Sequence, residues 1–164
     1  MPSPRVEIAQ ATDRDLPAAR ALLRAYAESL GYRACFHEFE RELDGLPGSY
    51  GPPSGRLLVA RAGGDVVGLV AIAPAEEGAC EMRRLFLKGE HRGRGTGRRL
   101  AEAALAPAAG IGYQRMRLET LPEMAAARAL YLSLGFTAAP PDPARAEIVR
   151  LERALAGRKS ITTV

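Results

Sequence analysis

His91-Arg92-Gly93-Arg94-Gly95-Thr96-Gly97 decides how this chain folds and what it holds. Three glycines alternate with cationic or hydroxyl side chains, and a leucine- and alanine-rich helical pattern follows without a break. Glycine lets a backbone turn tightly and lets a ligand come close to it. The first turn of a helix leaves amide hydrogens without intrahelical acceptors, and the helix dipole adds positive potential there. Flexible backbone, positive charge and a helix start together suit a phosphate or pyrophosphate group. Arg92, Arg94, Arg98 and Arg99 add a charged rim. The plain alternative is a tight surface turn carrying solubilising arginines.

Downstream, the pattern predicts a helix from Thr96 to about Ala109, with Leu100, Ala101, Ala104, Leu105 and Ala108 on its apolar face. Pro107 predicts a kinked or shortened last turn. A strand follows over Arg115 to Thr120, then a helix from Glu123 to Leu134 bearing Met124, Ala127, Leu130, Tyr131 and Leu134. Gly135 caps that helix before a strand starting at Phe136, and Ala146 to Leu155 reads as strand or helix alike. Upstream, Ala79 to Leu87 reads as a strand. Met82 and Phe86 share one parity of it, Leu85 and Leu87 the other. Such a strand is covered on both faces or contains a bulge, and either reading makes it central.

Further toward the N-terminus, Arg5 to Ala9 reads as a strand, and Thr12 or Asp13 as the cap of a helix ending near Gly31. That helix carries Leu16, Ala19, Leu22, Leu23, Tyr26 and Leu30 at helical spacing. A shorter helix covers Phe36 to Leu43. Gly45 to Gly55 holds four glycines and three prolines in eleven residues, which makes it a loop. Arg56–Ala62 and Val66–Ala73 are apolar strands joined by a Gly63-Gly64-Asp65 hairpin turn. Antiparallel strands followed by strand–turn–helix–strand–helix describe one α+β domain over residues 1–156. Its central sheet is mixed and mostly antiparallel with helices on both faces. The tail from Gly157 to Val164 reads as frayed.

Composition narrows the function. Hydrophobic residues make up 47% of the 164 and charged residues 26%, ordinary for a folded globular domain. Lysine and arginine exceed the acids by 23 to 19, enough to suit an anionic ligand and short of a nucleic-acid footprint. Cys35 and Cys80 have no metal-site or disulfide-framework spacing, so two ordinary thiols in a reducing cytoplasm, and no metal, are expected. No apolar run reaches membrane-spanning length. The glycine run lacks the full dinucleotide fingerprint, and the hairpins before it argue against that fold, although Glu119 has roughly the right separation. It also lacks the Gly-Lys-Ser/Thr ending of a nucleoside-triphosphate loop.

Arg92, Gly95 and Gly97 match Arg/Gln-x-x-Gly-x-Gly/Ala, and the chain resembles the GNAT superfamily of N-acetyltransferases almost end to end. Two further segments carry the resemblance. They are Cys80-Glu81-Met82-Arg83-Arg84-Leu85-Phe86-Leu87 before the loop and Ala129-Leu130-Tyr131-Leu132-Ser133-Leu134-Gly135-Phe136 after it. The resemblance implies the acyl-CoA N-acyltransferase fold and acetyl-CoA as co-substrate, without a metal. It implies that the pyrophosphate lies against the Arg92, Gly93, Arg94, Gly95, Thr96, Gly97 and Arg98 segment. The pantetheine arm would then lie in a splay between the Arg83–Leu87 and Arg115–Thr120 strands, with backbone bonds to Leu85, Phe86 and Leu87. A primary amine would attack the thioester directly in a ternary complex, with a backbone amide near Leu85–Leu87 facing the oxyanion.

Tyr131 lies where that family often places the acid for the departing thiolate, and its spacing with Ala127 and Leu134 also fits a core tyrosine. Glu81 stands where the family frequently has a carboxylate base; the bland reading pairs it with Arg83, Arg84 or Arg117. An asparagine that many relatives carry after the Arg115–Thr120 strand is missing, since Leu121-Pro122-Glu123-Met124 follows. His91 reads as a loop residue and His37 as a helix-end surface residue. The acceptor pocket is expected from the first two helices, the Gly45–Gly55 loop and the C-terminal strands. Glu38, Glu40 and Glu42 are candidate attractants for a cationic amine there. A small-molecule amine, a protein N-terminus or a lysine all remain open as acceptor. Neither nucleic acid nor membrane is expected as a partner, and a homodimer is common in the family. Two readings from other classes stand beside the enzyme: a non-catalytic acyl-CoA-binding regulatory module, and an interaction domain whose loop takes adventitious anions.

Overall fold

Seven strands form one sheet in the order β1-β2-β3-β4-β5-β7-β6 in a computed structural model that describes residues 5–30 and 36–155. They are β1 Val6–Gln10, β2 Arg56–Ala62, β3 Asp65–Pro74, β4 Ala79–Leu87, β5 Arg115–Thr120, β6 Thr137–Ala138 and β7 Val149–Ala154. Every neighbouring pair is antiparallel except β4 with β5. That exception follows from the chain: β4 and β5 are joined through α3 (Thr96–Ile111), and a helical crossover returns the next strand in parallel. The expected mixed, mostly antiparallel sheet is therefore present. β2, β4 and β5 occupy the residues their apolar runs predict.

α1 (Leu16–Leu30) and α2 (Phe36–Asp44) pack on one face of the sheet. Ala19, Leu22, Leu23 and Leu43 meet Leu57, Val59, Leu69 and Ala71 there. α3 and α4 (Ala125–Ser133) contribute to the core on the other face, where Leu100, Ala104 and Tyr131 join Val70, Ile72, Met82, Met116 and Leu118. Burying side chains such as Leu23, Leu69 and Leu100 completely contributes about 2 kcal/mol each toward folding.

Several expected boundaries shift, for identifiable reasons. α3 runs through Pro107 to Ile111 without stopping. Proline removes one ladder bond, but the flanking Ala104 and Ala108 are fully buried and hold the turn against the sheet. The last helix starts at Ala125 and not at Glu123, because Leu121–Met124 closes a turn through the Met124 amide and the Leu121 carbonyl (3.0 Å). The strand expected from Phe136 is the two-residue β6, with Phe136 itself buried in the core. The ambiguous Ala146–Leu155 stretch is a strand, fixed by its pairing with β5 along Arg115–Thr120. The Gly31 helix stop, Cys35 and the tail from Gly157 lie outside the described residues. The side chains of Phe36, His37, Glu38 and Phe39 do too. Cys80 is a buried free thiol that burial pushes up to about 12, far from nucleophilic use at neutral pH.

The entry to α1 supplies a measurable stability term. Thr12 precedes a single 3-10 turn, Asp13–Asp15, and the Asp15 carboxylate accepts from the Thr12 amide (2.8 Å) and hydroxyl (3.1 Å). Arg61 on β2 grips the same carboxylate with two hydrogen bonds of 3.1 and 2.6 Å. The Arg61 bonds, foremost, hold the Asp15 carboxyl at about 2, below its usual 3.8, against the opposing effect of burial. A depressed carboxyl stabilises the fold above its unfolded value, and that contribution is lost as pH falls from about 4 toward 2. Asp15→Asn is therefore expected to cost about 1–2 kcal/mol at pH 7 and to flatten the stability profile between pH 4 and 2. Urea unfolding of both proteins across that range checks it; parallel profiles would remove the assigned role.

Candidate functional site

The central strand carries a bulge, and the bulge organises the site. Between β3 and β4 the register passes from Leu69↔Phe86 to Ala71↔Arg83, so β4 has one more residue than its partner there. Arg84 absorbs it with φ 61. A left-handed conformation at a non-glycine residue costs roughly 1–3 kcal/mol and persists only where the surroundings impose it. The extra residue also resolves the parity conflict. Met82, Leu85 and Leu87 all face the α3 side, and Phe86 faces the α1 side. Both sequence readings hold together: the strand is bulged and covered on both faces.

Beyond the bulge, β4 has no partner on its β5 edge. The two strands pair only from Ala79–Glu81 to Arg115–Arg117, while β5 stays bonded to β7 as far as Thr120. A gap therefore opens after Glu81. The Lys88 amide bonds the Val67 carbonyl on β3 (2.9 Å), and strand groups alternate in direction. The Leu87 amide and carbonyl, and those of Leu85, consequently point away from β3 and toward the gap. The Leu87 carbonyl is already taken, accepting from Arg92 Nε at 3.1 Å.

At the end of β4 the chain makes a short 3-10 turn, Gly89–His91, and enters the glycine run. Gly93 (φ 78) and Gly95 (φ 81) adopt the left-handed backbone that glycine alone takes without strain. A Cβ added at either would meet nothing within 4 Å, so the loop faces open space. Gly95 caps α3, and the first ladder bond runs from the Arg99 amide to the Gly95 carbonyl (3.1 Å). The amides of Thr96, Gly97 and Arg98 precede that ladder. The helix thus starts directly behind the glycine run, as the sequence pattern predicts.

The arginine rim is mostly turned to other work. Arg92 lies with its guanidinium 5.2 Å from the Phe86 ring centroid, in addition to its bond to Leu87. Arg98 bonds Ser133 on α4 (2.7 Å) and Glu102 (2.8 Å), tying the two helices together. Arg99 donates to the Val6 carbonyl on β1 (3.0 Å). The positive character of the loop thus rests on its backbone first, and on these side chains as a background field.

Tyr131 is buried on α4, its ring 6.0 Å from that of Phe136. Burial foremost, then the Tyr26 phenol, pushes its hydroxyl well above the ordinary value. Tyr26 comes from α1 on the opposite face of the sheet and packs edge-on against Phe86 at 5.2 Å.

The sequence pattern of the Acetyltransferase (GNAT) family matches residues 16–136. The chain belongs to this family. An uncharacterized N-acetyltransferase of Schizosaccharomyces pombe is 35% identical over 130 residues, 78% of this chain and 80% of that protein. The crystal structure of a putative acyl-CoA N-acyltransferase from Klebsiella pneumoniae superposes with a TM-score of 0.65 at 30% identity, covering 93% of this chain and 97% of that one. The PaiA N-acetyltransferase of Thermoplasma acidophilum, solved in complex with coenzyme A, reaches 0.73 at 19% identity, over 92% and 99% of the two chains. That last likeness is one of fold.

Within this GNAT chain the acids are paired. Glu81 accepts from Arg83 at 3.0 and 3.4 Å and lies in the last paired rung of β4 with β5. Glu42 on α2 binds Arg84 through two contacts of 3.0 Å, and Glu40 lies 3.6 Å from Arg24. Glu40 and Glu42 are thus already engaged by arginines and are not a free lure for a cationic amine. His91 sits beside Glu90 (3.8 Å) at the loop entrance. Thr120, buried at the end of β5, contacts Met124 through its hydroxyl (3.7 Å). Sequence reasoning missed Tyr26, Arg84 and Tyr50. Tyr50 has a buried hydroxyl without a hydrogen bond, although Glu42 and Arg84 are close enough to affect it electrostatically. The parity break in β4 was the one signal for Arg84. A small cleft of about 40 Å³ lined by Thr12, Leu16, Pro47, Tyr50 and Leu57 shares no residue with the glycine loop. Among the described residues, no three of His, Cys, Asp and Glu gather as a metal ion requires, and no helix is long and apolar enough to cross a membrane.

Proposed function

We propose that this protein transfers the acetyl group of acetyl-CoA to a primary amine by direct attack in a ternary complex. One observation carries the reading: the gap beside Leu85–Leu87 runs into an open amide cradle at the start of α3. A diphosphate on the amides of Gly93 to Arg98 and an extended arm along β4 is the ligand such a continuous groove takes. The PaiA structure with coenzyme A supports the choice of donor.

The amine nitrogen attacks the thioester carbonyl, and the backbone amides of Leu85 and Leu87 face the oxyanion that forms. Collapse breaks the carbon–sulfur bond. The departing thiolate takes the Tyr131 phenol proton, and water restores it. The ammonium proton passes to Glu81, directly or through water, with Arg83 pinning that carboxylate in place. Most of the rate then comes from position and polarisation, since the co-substrate brings the activated acyl group. The acceptor side is bounded by α1, α2, the Gly45–Gly55 loop and the C-terminal strands, and a small-molecule amine is the acceptor we favour.

Thiol release from acetyl-CoA across a panel of primary amines and N-terminal peptides tests this. Saturable turnover with at least one amine is expected. Tight coenzyme binding with no release from any acceptor would instead make the protein a regulatory acyl-CoA-binding module.

A further inference from the structure

We propose that Glu42 is a positioning residue for acetyl transfer, its ion pair with Arg84 holding the β4 bulge and so the direction of the Leu85 and Leu87 amides. The inference rests on the function proposed above and adds a residue from the acceptor-side helix to its machinery. Among the described residues Arg84 alone, apart from glycines, has positive φ. Such a conformation relaxes to negative φ unless something opposes it. Here the opposition is two-pronged: Arg84 Nε meets Glu42 Oε2 at 3.0 Å, and an Arg84 terminal nitrogen meets Oε1 at 3.0 Å. Paired bonds of that fork fix orientation as well as distance. Both side chains are mostly shielded, 30% and 20% exposed, so solvent screens the pair less than a surface bridge.

Glu42 is itself well anchored. Its neighbour Leu43 is fully buried, and the Leu43 carbonyl accepts from Arg20 Nε at 2.8 Å. α2 therefore acts as a fixed post. Losing the bulge would return β4 to simple alternation and send Leu85 and Leu87 to the opposite face. Their amides would turn with them, away from the reacting carbonyl. Tyr50, its hydroxyl buried, lies close enough to the pair for Glu42 and Arg84 to act on it electrostatically.

The isosteric Glu42→Gln removes the charge without changing volume. It is expected to lower kcat about tenfold or more, with the acetyl-CoA Kd within about threefold. Arg84→Gly is the decisive partner, because glycine adopts φ near 60 without strain and so needs no clamp to oppose relaxation. Adding Glu42→Gln to Arg84→Gly should then cost less than about twofold. A loss that persists in the glycine background would mean that Glu42 contacts the acceptor, and would overturn the positioning role. Hydrogen exchange in the ligand-free protein gives a readout independent of turnover. The Phe86 amide, which strand alternation directs at Leu69 on β3 beside the bulge, should exchange at least several-fold faster in Glu42→Gln, and unchanged exchange would also overturn the inference. A wild-type protein without acetyl-CoA turnover would defeat the proposed function alone, and the exchange rates would still decide the clamp.

Discussion

Tyr131→Phe is expected to lower kcat about a hundredfold or more while leaving the acetyl-CoA Kd within about twofold. The phenol stands above its ordinary value near 10 through burial, so it holds its proton across the whole working range. In the proposed mechanism it gives that proton only when a thiolate is expelled beside it. Phenylalanine keeps the ring against Phe136, and the packing of the α3 side with it. The melting temperature should consequently move by only a few degrees. The pH profile adds a sign: because the protonated phenol is the required form, this group produces no alkaline loss of kcat below about pH 10. Steady-state kinetics between pH 6 and 10, beside calorimetric binding of acetyl-CoA, check both statements. Wild-type turnover in the variant would return Tyr131 to the core as a packing residue.

Gly97→Glu should raise the acetyl-CoA Kd about a hundredfold with little change in fold stability. A Cβ there meets Leu87 Cδ1 at 3.5 Å, an ordinary contact, and glutamate is a better helix former than glycine. The carboxylate, however, enters the amide cradle in which the diphosphate is proposed to lie and competes for the same positive potential. Gly95 is a poorer place for this experiment, since its φ of 81 strains any other residue and mixes folding with binding. Isothermal titration with melting curves separates the two effects. Undiminished coenzyme affinity in the folded variant would detach the loop from the ligand.

Backbone features of the site were legible in the sequence, and side-chain partnerships were not. The glycine run, the bulged centre of β4 and the strand following α3 all follow from local pattern: positive-φ residue types, a parity conflict, and alternation bounded by turns. Val149–Ala154 was ambiguous because Val-Arg-Leu-Glu-Arg-Ala has no local preference. Its rungs Arg117↔Glu152 and Glu119↔Arg150 decide it, and these are long-range. The arginines make the same point. Arg92, Arg98 and Arg99 look like phosphate ligands beside a glycine loop. Yet their heads go to Leu87, Ser133 and Val6, and the last two are distant in sequence. Glu42 and Arg84 likewise meet from separate elements, and only the fold brings them together.

An amide chemical-shift titration with coenzyme A tests the proposed groove most directly. Saturable shifts should be largest at Gly93 to Arg98, with a second group at Leu85 and Leu87 along the β4 gap. Binding that instead moved Thr12, Tyr50 and Gly51 around the separate cleft, or no saturable binding at all, would contradict it.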